Sequence, residues 1–208
     1  MIPVELKTKK GSVIIDTDEH VRPDIKLDDL AKLKPVFDKE GTVTAGNASG
    51  LNDGGSALIL MTADKAKELG CMPLIRIVST ASAAVDPKIM GIGVVPAVKR
   101  ALQFANLKLE DIGCWEINEA FAAQFIACNR ELKLDMDKVN GNGSGISLGH
   151  PVSCTGARLI VSLVSEMKRR NVEFGCASLC AGAGLVQQSL YKICKGLWSL
   201  AVRFVRNE

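Results

Sequence analysis

Three short segments carry residue types suited to proton transfer, nucleophilic attack or the holding of an oxygen. Asn118-Glu-Ala-Phe121 falls where an apolar run gives way to a helical pattern. An asparagine there can cap the helix, or it can hold a water or a carbonyl at the strand end where ligands of layered α/β folds bind. Gly149-His150-Pro151 follows the glycine-rich run Gly141-Asn-Gly-Ser-Gly145. Proline fixes the backbone after the histidine, and the glycines let a ligand approach closely, although an isolated histidine is also a common structural residue. Cys180-Ala-Gly-Ala-Gly184 ends one apolar run and begins another. A thiol beside glycines whose N–H groups can face an oxygen is a workable acid/base or nucleophile site, the ordinary alternative being a buried thiol next to a turn.

Other features carry less. Gly91-Ile-Gly93 lacks the rest of a dinucleotide fingerprint and reads as a turn. The seven cysteines, Cys71, Cys114, Cys128, Cys154, Cys176, Cys180 and Cys194, are odd in number and none has CxxC spacing. That argues against a disulfide framework or a zinc site. With two histidines and no ligand spacing, no metal site is expected. A reduced, cytoplasmic protein is expected, with most of its thiols acting as small apolar core residues. Residues 1–10 hold no apolar stretch of secretory length, and the uncharged run from Phe174 to Tyr191 contains Gln187 and Gln188, which makes it a poor membrane span.

The elements that must position these segments follow from periodicity. Val13–Ile15, Ser56–Met61, Leu74–Val78, Cys114–Asn118, Phe174–Cys180 and Leu185–Tyr191 read as strands. Asp24–Leu33 reads as a helix or turn-rich segment. Ala63–Leu69, ending at Gly70, Pro96–Ala105 with proline in the first position, Glu119–Lys133 and Thr155–Arg170 read as helices. The cluster Lys168-Arg169-Arg170 suits the negative end of the last helix and reads as a solvated helix end. Gly41–Gly55 reads as loop, and Val139–Gly149 as loop with one short strand. Strands alternating with helices imply an α/β layered sheet.

The composition agrees. In 208 residues, 47% are apolar and 24% charged, which excludes a disordered chain and leaves room for a real core. A formal charge of +3 is too small to argue for nucleic acid or an anionic membrane surface.

In combination the segments are more specific. The order Gly41-Thr-Val-Thr-Ala-Gly-Asn-Ala-Ser-Gly-Leu-Asn-Asp-Gly54, Asp86-Pro-Lys-Ile-Met-Gly-Ile-Gly93, Asn118-Glu-Ala-Phe-Ala-Ala-Gln124, Gly149-His-Pro151 and Leu179-Cys-Ala-Gly182 resembles the C-terminal half of a thiolase, the acetyl-CoA C-acetyltransferase type being nearest. The resemblance runs from about Pro3 to Leu185. It implies a thiolase-type half: a mixed five-stranded sheet with helices on its faces. It further implies reversible condensation of two acetyl-CoA to acetoacetyl-CoA plus CoA. The substrates are coenzyme A thioesters and no cofactor is needed. By the same resemblance Cys180 takes the α-proton of the second acetyl-CoA. His150 activates the nucleophile and donates to the thioester oxygen, and Asn118 holds the water that completes that oxyanion hole. The Gly182 N–H serves a second hole. Ala45, Ser49, Ala120 and Phe121 line the pantetheine path, and Met90 borders a short acyl pocket.

The sequence departs from the family in one major respect. The nucleophilic cysteine of the family lies in a Cys-Ala-Ser-Gly-like motif of the N-terminal half, and none of the seven cysteines has that context. The expected organisation is a remnant of the family's loop domain over 1–50, the C-terminal α/β domain over 51–191 and a divergent tail over 192–208. An N-terminal thiolase half or a second copy is expected as partner, covering an apolar face of the Thr155–Arg170 or Glu119–Lys133 helix. The alternative is a non-catalytic acyl-CoA-binding or interaction module. Ala183 stands where the family has glycine, which costs strain if that position needs positive φ. Ser153 stands where the family usually has glycine, and Gln187-Gln188 interrupt the last strand. The tail reads as an amphipathic helix or as sequence from a shifted frame.

Overall fold

A computed structural model describes residues 2–182, 185–193 and 201–203. The chain divides into two compact units, 1–34 and 35–208. In the first, β1 (Val4–Thr8) and β2 (Gly11–Ile15) form an antiparallel hairpin in register Val4↔Ile15 to Thr8↔Gly11. Gly11 takes φ +122, which a side chain would resist, and Thr8 Oγ1 donates to its carbonyl at 2.7 Å. The predicted strand over Val13–Ile15 is present, and its partner Val4–Thr8 was not foreseen. Every residue of the hairpin is exposed. The helical prediction over Asp24–Leu33 narrows to α1 (Leu27–Ala31), whose start is held by Asp29 accepting from the Lys26 N–H at 3.2 Å.

The second unit carries the core. After the 41–55 loop come β3 (Ile59–Met61) and α2 (Ala63–Glu68), the latter capped by Thr62 Oγ1 accepting from the Lys65 N–H at 3.2 Å. Next are β4 (Ile75–Ala84), a 3-10 segment over Pro87–Gly93, α3 (Val94–Ala105), β5 (Cys114–Ile117) and α4 (Ala122–Leu132). They are followed by α5 (Gly145–Leu148), α6 (Thr155–Arg170), β6 (Phe174–Cys180), β7 (Leu185–Ile193) and β8 (Ala201–Arg203). The main sheet has the order β4-β7-β6-β5. β7 is antiparallel to both its neighbours, and β5 and β6 are parallel. The sheet is mixed as expected, but among the described residues it has four strands rather than five. The apolar run at 56–61 keeps only three strand residues and pairs with β8 instead.

Period-two alternation sorts the strands between two layers. Trp115, Ile117, Cys176, Cys180 and Leu190 face the α3 side with Val94, Val98, Ala101 and Leu102. Cys114, Ala177 and Tyr191 face α6 with Leu159, Leu163 and Met167. Helices on both faces explain why β5 is buried at all four positions.

Helix ends follow local rules except where distant contacts intervene. α6 has the predicted bounds and stops at Asn171, which takes the left-handed φ of 52. α3 begins two residues before Pro96, placing the proline third rather than first. The first-turn N–H groups have no intrahelical acceptor, so this position costs nothing. The 139–149 stretch holds the short helix α5 where a strand was expected, together with one bridge from Val139 to Trp115. Of the 192–208 tail only 192–193, ending β7, and 201–203, as β8, are described. The amphipathic-helix reading otherwise lies outside the described residues, as do Ala183 and Gly184. Among the described residues no helix is long and apolar enough to cross a membrane.

The end of α6 is tied to the glycine-rich loop by Glu166, whose side chain is 1% exposed. Glu166 accepts from Arg169 Nε at 2.9 Å, from Arg170 Nε and from Asn142 Nδ2 at 3.3 Å. The predicted solvated basic end is therefore partly an internal clamp. The Arg169 hydrogen bonds, opposed by burial and assisted by Arg170, hold this carboxyl at about 2, against an ordinary 4.5. A depressed acid pKa stabilises the fold above the unfolded value and loses that contribution as pH falls through the folded one. Urea midpoints are therefore expected to fall between pH 4.5 and 2, and Glu166→Gln to remove that part of the dependence.

Candidate functional site

The C-terminal end of β5 is stitched to the chain that follows it. Asn140, at φ 49, donates its N–H to the Trp115 carbonyl at 2.8 Å, while its side chain accepts from the Ile117 N–H at 2.8 Å and donates to the Ile117 carbonyl at 3.0 Å. Buried Ser144 also donates to that carbonyl, at 2.9 Å. The Glu119 carboxylate accepts from Asn140 Nδ2 at 3.0 Å and from the Ile146 N–H at 3.4 Å. These contacts satisfy the outer edge of β5 and bring the loop carrying His150 against the strand end. Gly145 permits the approach: a Cβ there would lie 2.6 Å from the Glu119 carbonyl and 2.8 Å from Asn118 Oδ1.

Asn118 is fully buried and donates its N–H to the Ser178 carbonyl at 2.9 Å, which places it beside β6. It does not cap α4. That helix starts at Ala122 after an extended Phe121, because Ala48 bridges Phe121 from the 41–55 loop. Asn118 Nδ2 instead lies 3.4 Å from His150 Nε2. The other ring nitrogen, Nδ1, is 2.7 Å from Thr155 Oγ1. Thr155 donates its one hydroxyl proton to the Pro151 carbonyl at 3.0 Å. Toward the ring it can then only accept, so Nδ1 carries the proton and the Nε2 lone pair faces Asn118. Burial first, and then the Arg158 guanidinium, pull the imidazole below its ordinary 6.5. Both effects favour the neutral ring, and the Thr155 contact favours the Nδ1–H tautomer.

The 41–55 loop supports the same corner. Leu51 bridges His150, whose N–H donates to the Gly50 carbonyl at 3.2 Å and lies 3.3 Å from Asn52 Oδ1. Ser49 donates its N–H to the Ala120 carbonyl at 3.0 Å, and Ala122 to the Asn47 carbonyl at 2.9 Å.

Cys180 ends β6 on the other face of the sheet, in the core cluster that also holds Ala120 and Cys128 and against which Met90 and Phe121 pack. Met90 and Phe121 line a largely apolar cavity of about 560 Å³ with Gly91, Gln124 and Ala127. The structure thus pairs Asn118 with His150 directly and places Cys180 in the core cluster that includes Ala120 and that Met90 and Phe121 pack against. Both groups sit at the C-terminal ends of the parallel strands β5 and β6. Ser49 joins them through Ala120. Ala45 is exposed on the 41–55 loop, and Gly182 is exposed just past β6.

Burial pushes the Cys180 thiol upward, as it pushes Cys128 to about 11 and Cys114 to about 12. Cys180 is 7% exposed. It is expected to resist iodoacetamide at pH 7.5 while partly exposed Cys71 reacts, a difference that peptide mapping by mass spectrometry measures. Fast alkylation of Cys180 would mean that its pocket is more open than the structure shows.

Thr155, Asn140, Ser144 and Asn52 escaped the reading of the sequence, because each is an ordinary capping or loop residue whose role exists only through long-range contact. Glu116 left a signal, as a charged residue inside the buried run Cys114-Trp-Glu-Ile117. Among the described residues no group of three His, Cys, Asp or Glu is placed to hold a metal.

Comparison with known proteins gives a consistent set of likenesses. The family model of the thiolase C-terminal domain matches residues 71–192, and that of the thiolase N-terminal domain matches 1–64. An acetyl-CoA acetyltransferase of Rhizobium meliloti (strain 1021) is 53% identical over 89% of this chain and 47% of its own length. A 3-ketoacyl-CoA thiolase of Bacillus subtilis (strain 168) is 45% identical over 93% of this chain and 52% of its own. The crystal structure of the Bacillus anthracis acetyl-CoA acetyltransferase superposes with a TM-score of 0.87 at 53% identity, covering 93% of this chain and 49% of that one. The chain spans about half the length of the curated relatives it matches.

Proposed function

Because the chain belongs to the thiolase family, we propose that it supplies the proton-transfer half of an acetyl-CoA acetyltransferase. The acyl-carrying cysteine comes from the portion of the relatives that this chain does not cover. The observation that carries this reading is the His150 ring, its Nδ1–H held by Thr155 and its Nε2 facing Asn118.

In the proposed reaction, His150 Nε2 takes the proton of that incoming cysteine, whose sulfur attacks the acetyl-CoA carbonyl. A C–S bond to the enzyme forms and CoA leaves as its thiol, with the proton returned from His150. Protonated His150 and a water held by Asn118 face the developing oxyanion. Cys180, ionised at the moment of transfer, takes the α-proton of a second acetyl-CoA, and the resulting enolate is stabilised near the Gly182 N–H. Its carbon attacks the enzyme thioester, forming the C–C bond of acetoacetyl-CoA and releasing the cysteine thiolate, which is reprotonated from Cys180. Its raised pKa makes Cys180 a strong base once ionised. The cavity bordered by Met90 and Phe121 is assigned to the acyl and pantetheine portions, with Ala45, Ser49 and Ala120 along the path.

The test mixes this chain with an N-terminal thiolase half bearing its cysteine and follows thiolysis of acetoacetyl-CoA. Restored turnover that is lost when the added half carries Cys→Ala is the expected result. Acetyl-CoA uptake by calorimetry without any turnover would replace the enzymatic reading with a binding module.

A further inference from the structure

The His150 ring is held by Thr155 and Asn118, but the main chain that carries it is held by a strip of the 41–55 loop to which the proposed chemistry gives no part. Leu51 forms a parallel bridge to His150, so the strip runs alongside residues 149–151. Along such a strip alternate residues share a face. Gly50, Asn52 and Gly54 meet 149–151, while Leu51 and Asp53 are exposed. A Cβ on Gly54 would lie 2.8 Å from Pro151 Cγ. One on Gly149 would lie 2.6 Å from Asn52 Oδ1 and 2.7 Å from its Cγ, and one on Gly50 would lie 2.9 Å from the same oxygen. The Asn52 amide is therefore seated between two glycines, in space that a side chain at either position would fill.

The His150 N–H is shared between the Gly50 carbonyl at 3.2 Å and Asn52 Oδ1 at 3.3 Å. A backbone N–H only donates, so the oxygen of the Asn52 amide, not its nitrogen, faces residue 150. Gly149 takes φ +90, which other residues resist, and donates its own N–H to the Gly145 carbonyl at 3.1 Å. The chain at 149–150 is thus pinned by α5 on one side and by the loop strip on the other. From that backbone the ring reaches Thr155 Oγ1 at 2.7 Å and Asn118 Nδ2 at 3.4 Å. Side chains occupy a few staggered rotamers, so a rotation of the main chain at 150 carries the ring off both partners.

From this arrangement we infer that Asn52 is a positioning residue for His150: its amide, seated between Gly50 and Gly149, fixes the main chain from which the ring reaches Thr155 and Asn118. The inference rests on His150 being the base of the proposed reaction. The geometry that Asn52 fixes is a property of this chain and is measurable without turnover. Placement on this scale matters to the chemistry, since a displacement of about 1 Å can cost on the order of 10²-fold in rate. Asn52 follows Ser49 on the same loop, so the loop assigned to the pantetheine path also aligns the base that acts at its end.

The experiment is NMR of the full chain labelled with ¹⁵N at histidine, at a pH above the imidazole range, where the ring shifts report which nitrogen holds the proton. The sequence has two histidines, and His20→Gln, at an exposed position, assigns their signals. In the unchanged chain His150 is expected to show a protonated Nδ1 and an unprotonated Nε2, well separated in shift. In Asn52→Ala the two shifts are expected to move toward each other, as the ring leaves Thr155 and samples both tautomers. Asn52→Asp keeps an oxygen acceptor at the same reach and is expected to retain the separation. Leu51→Ala, which removes an exposed neighbouring side chain, is expected to retain it as well. Unmoved His150 shifts in folded Asn52→Ala, or a loss in Asn52→Asp equal to that in Asn52→Ala, would overturn the inference, as would mixed tautomers in the unchanged chain. If circular dichroism shows Asn52→Ala unfolded, Asn52→Ser, which also withdraws the amide oxygen, is read in its place with the same two outcomes. Failure to restore thiolysis with an added N-terminal half leaves all of these readouts intact, so the two readings fail separately.

Discussion

His150→Ala, assayed with an added N-terminal thiolase half, is expected to cut acetoacetyl-CoA thiolysis by roughly 10²- to 10⁴-fold, the usual contribution of a positioned acid/base. The fold is expected to survive, because the ring is only half-buried and most of the corner is held by backbone contacts. Gly50, Asn52 and Leu51 meet the main chain of residue 150 rather than its imidazole. Thr155→Val is the companion variant. It leaves the ring in place but removes the acceptor that holds the proton on Nδ1. A smaller loss is expected, because the ring can then sample the tautomer whose Nε2 is already protonated. Kinetics over pH together with far-ultraviolet circular dichroism check both. A His150→Ala variant with near-normal turnover would remove the histidine from the mechanism.

Trp115→Ala is the largest stability effect expected in this chain. Trp115 is 1% exposed on β5, in the layer formed with α3. Its neighbours across the parallel pair are fixed by the register Trp115↔Cys176, and its carbonyl is held by Asn140. Removing the indole leaves a large cavity that a strand buried on both faces cannot collapse, at a cost of about 3–5 kcal/mol. Urea denaturation followed by circular dichroism measures it, and a loss under about 1 kcal/mol would mean that the layer repacks. Because Asn118 directly follows β5, the same substitution is expected to weaken ligand binding as well.

What could be read directly from residue order follows a physical division. Thr155–Arg170 was bounded correctly because its signals are local: an apolar stripe, a basic last turn and an asparagine able to take the left-handed conformation. The closeness of Asn118 and His150 was legible because their turn-bounded segments matched a family order, whereas Cys180 lies on the opposite face of the sheet. The start of α4 was misplaced because the 41–55 loop bridges Phe121 and holds it extended, so the helix begins only at Ala122. The strand expected within 139–149 was misread for a related reason. Asn140 and Ser144 satisfy the edge of β5 with side chains, so that stretch needs no strand to pair there. The burial of Arg158 left no mark in the sequence, since an arginine in a helix is ordinary, whereas Glu116 stood out as a charge inside an apolar run.

The stitching of His150 to Asn52 joins residues 98 apart in sequence. Asn118, His150 and Cys180 also come from three separate turns of the chain, and the strands that carry two of them are parallel and must be joined by a crossover. Loop-closure entropy therefore weighs most heavily on this corner, whereas helices such as α6 gain their contacts locally. During refolding, helical signal is expected to precede the assembly of the corner. The corner is thus the most order-dependent part of the chain: a preparation with native helix content has formed it only once these most distant contacts have closed.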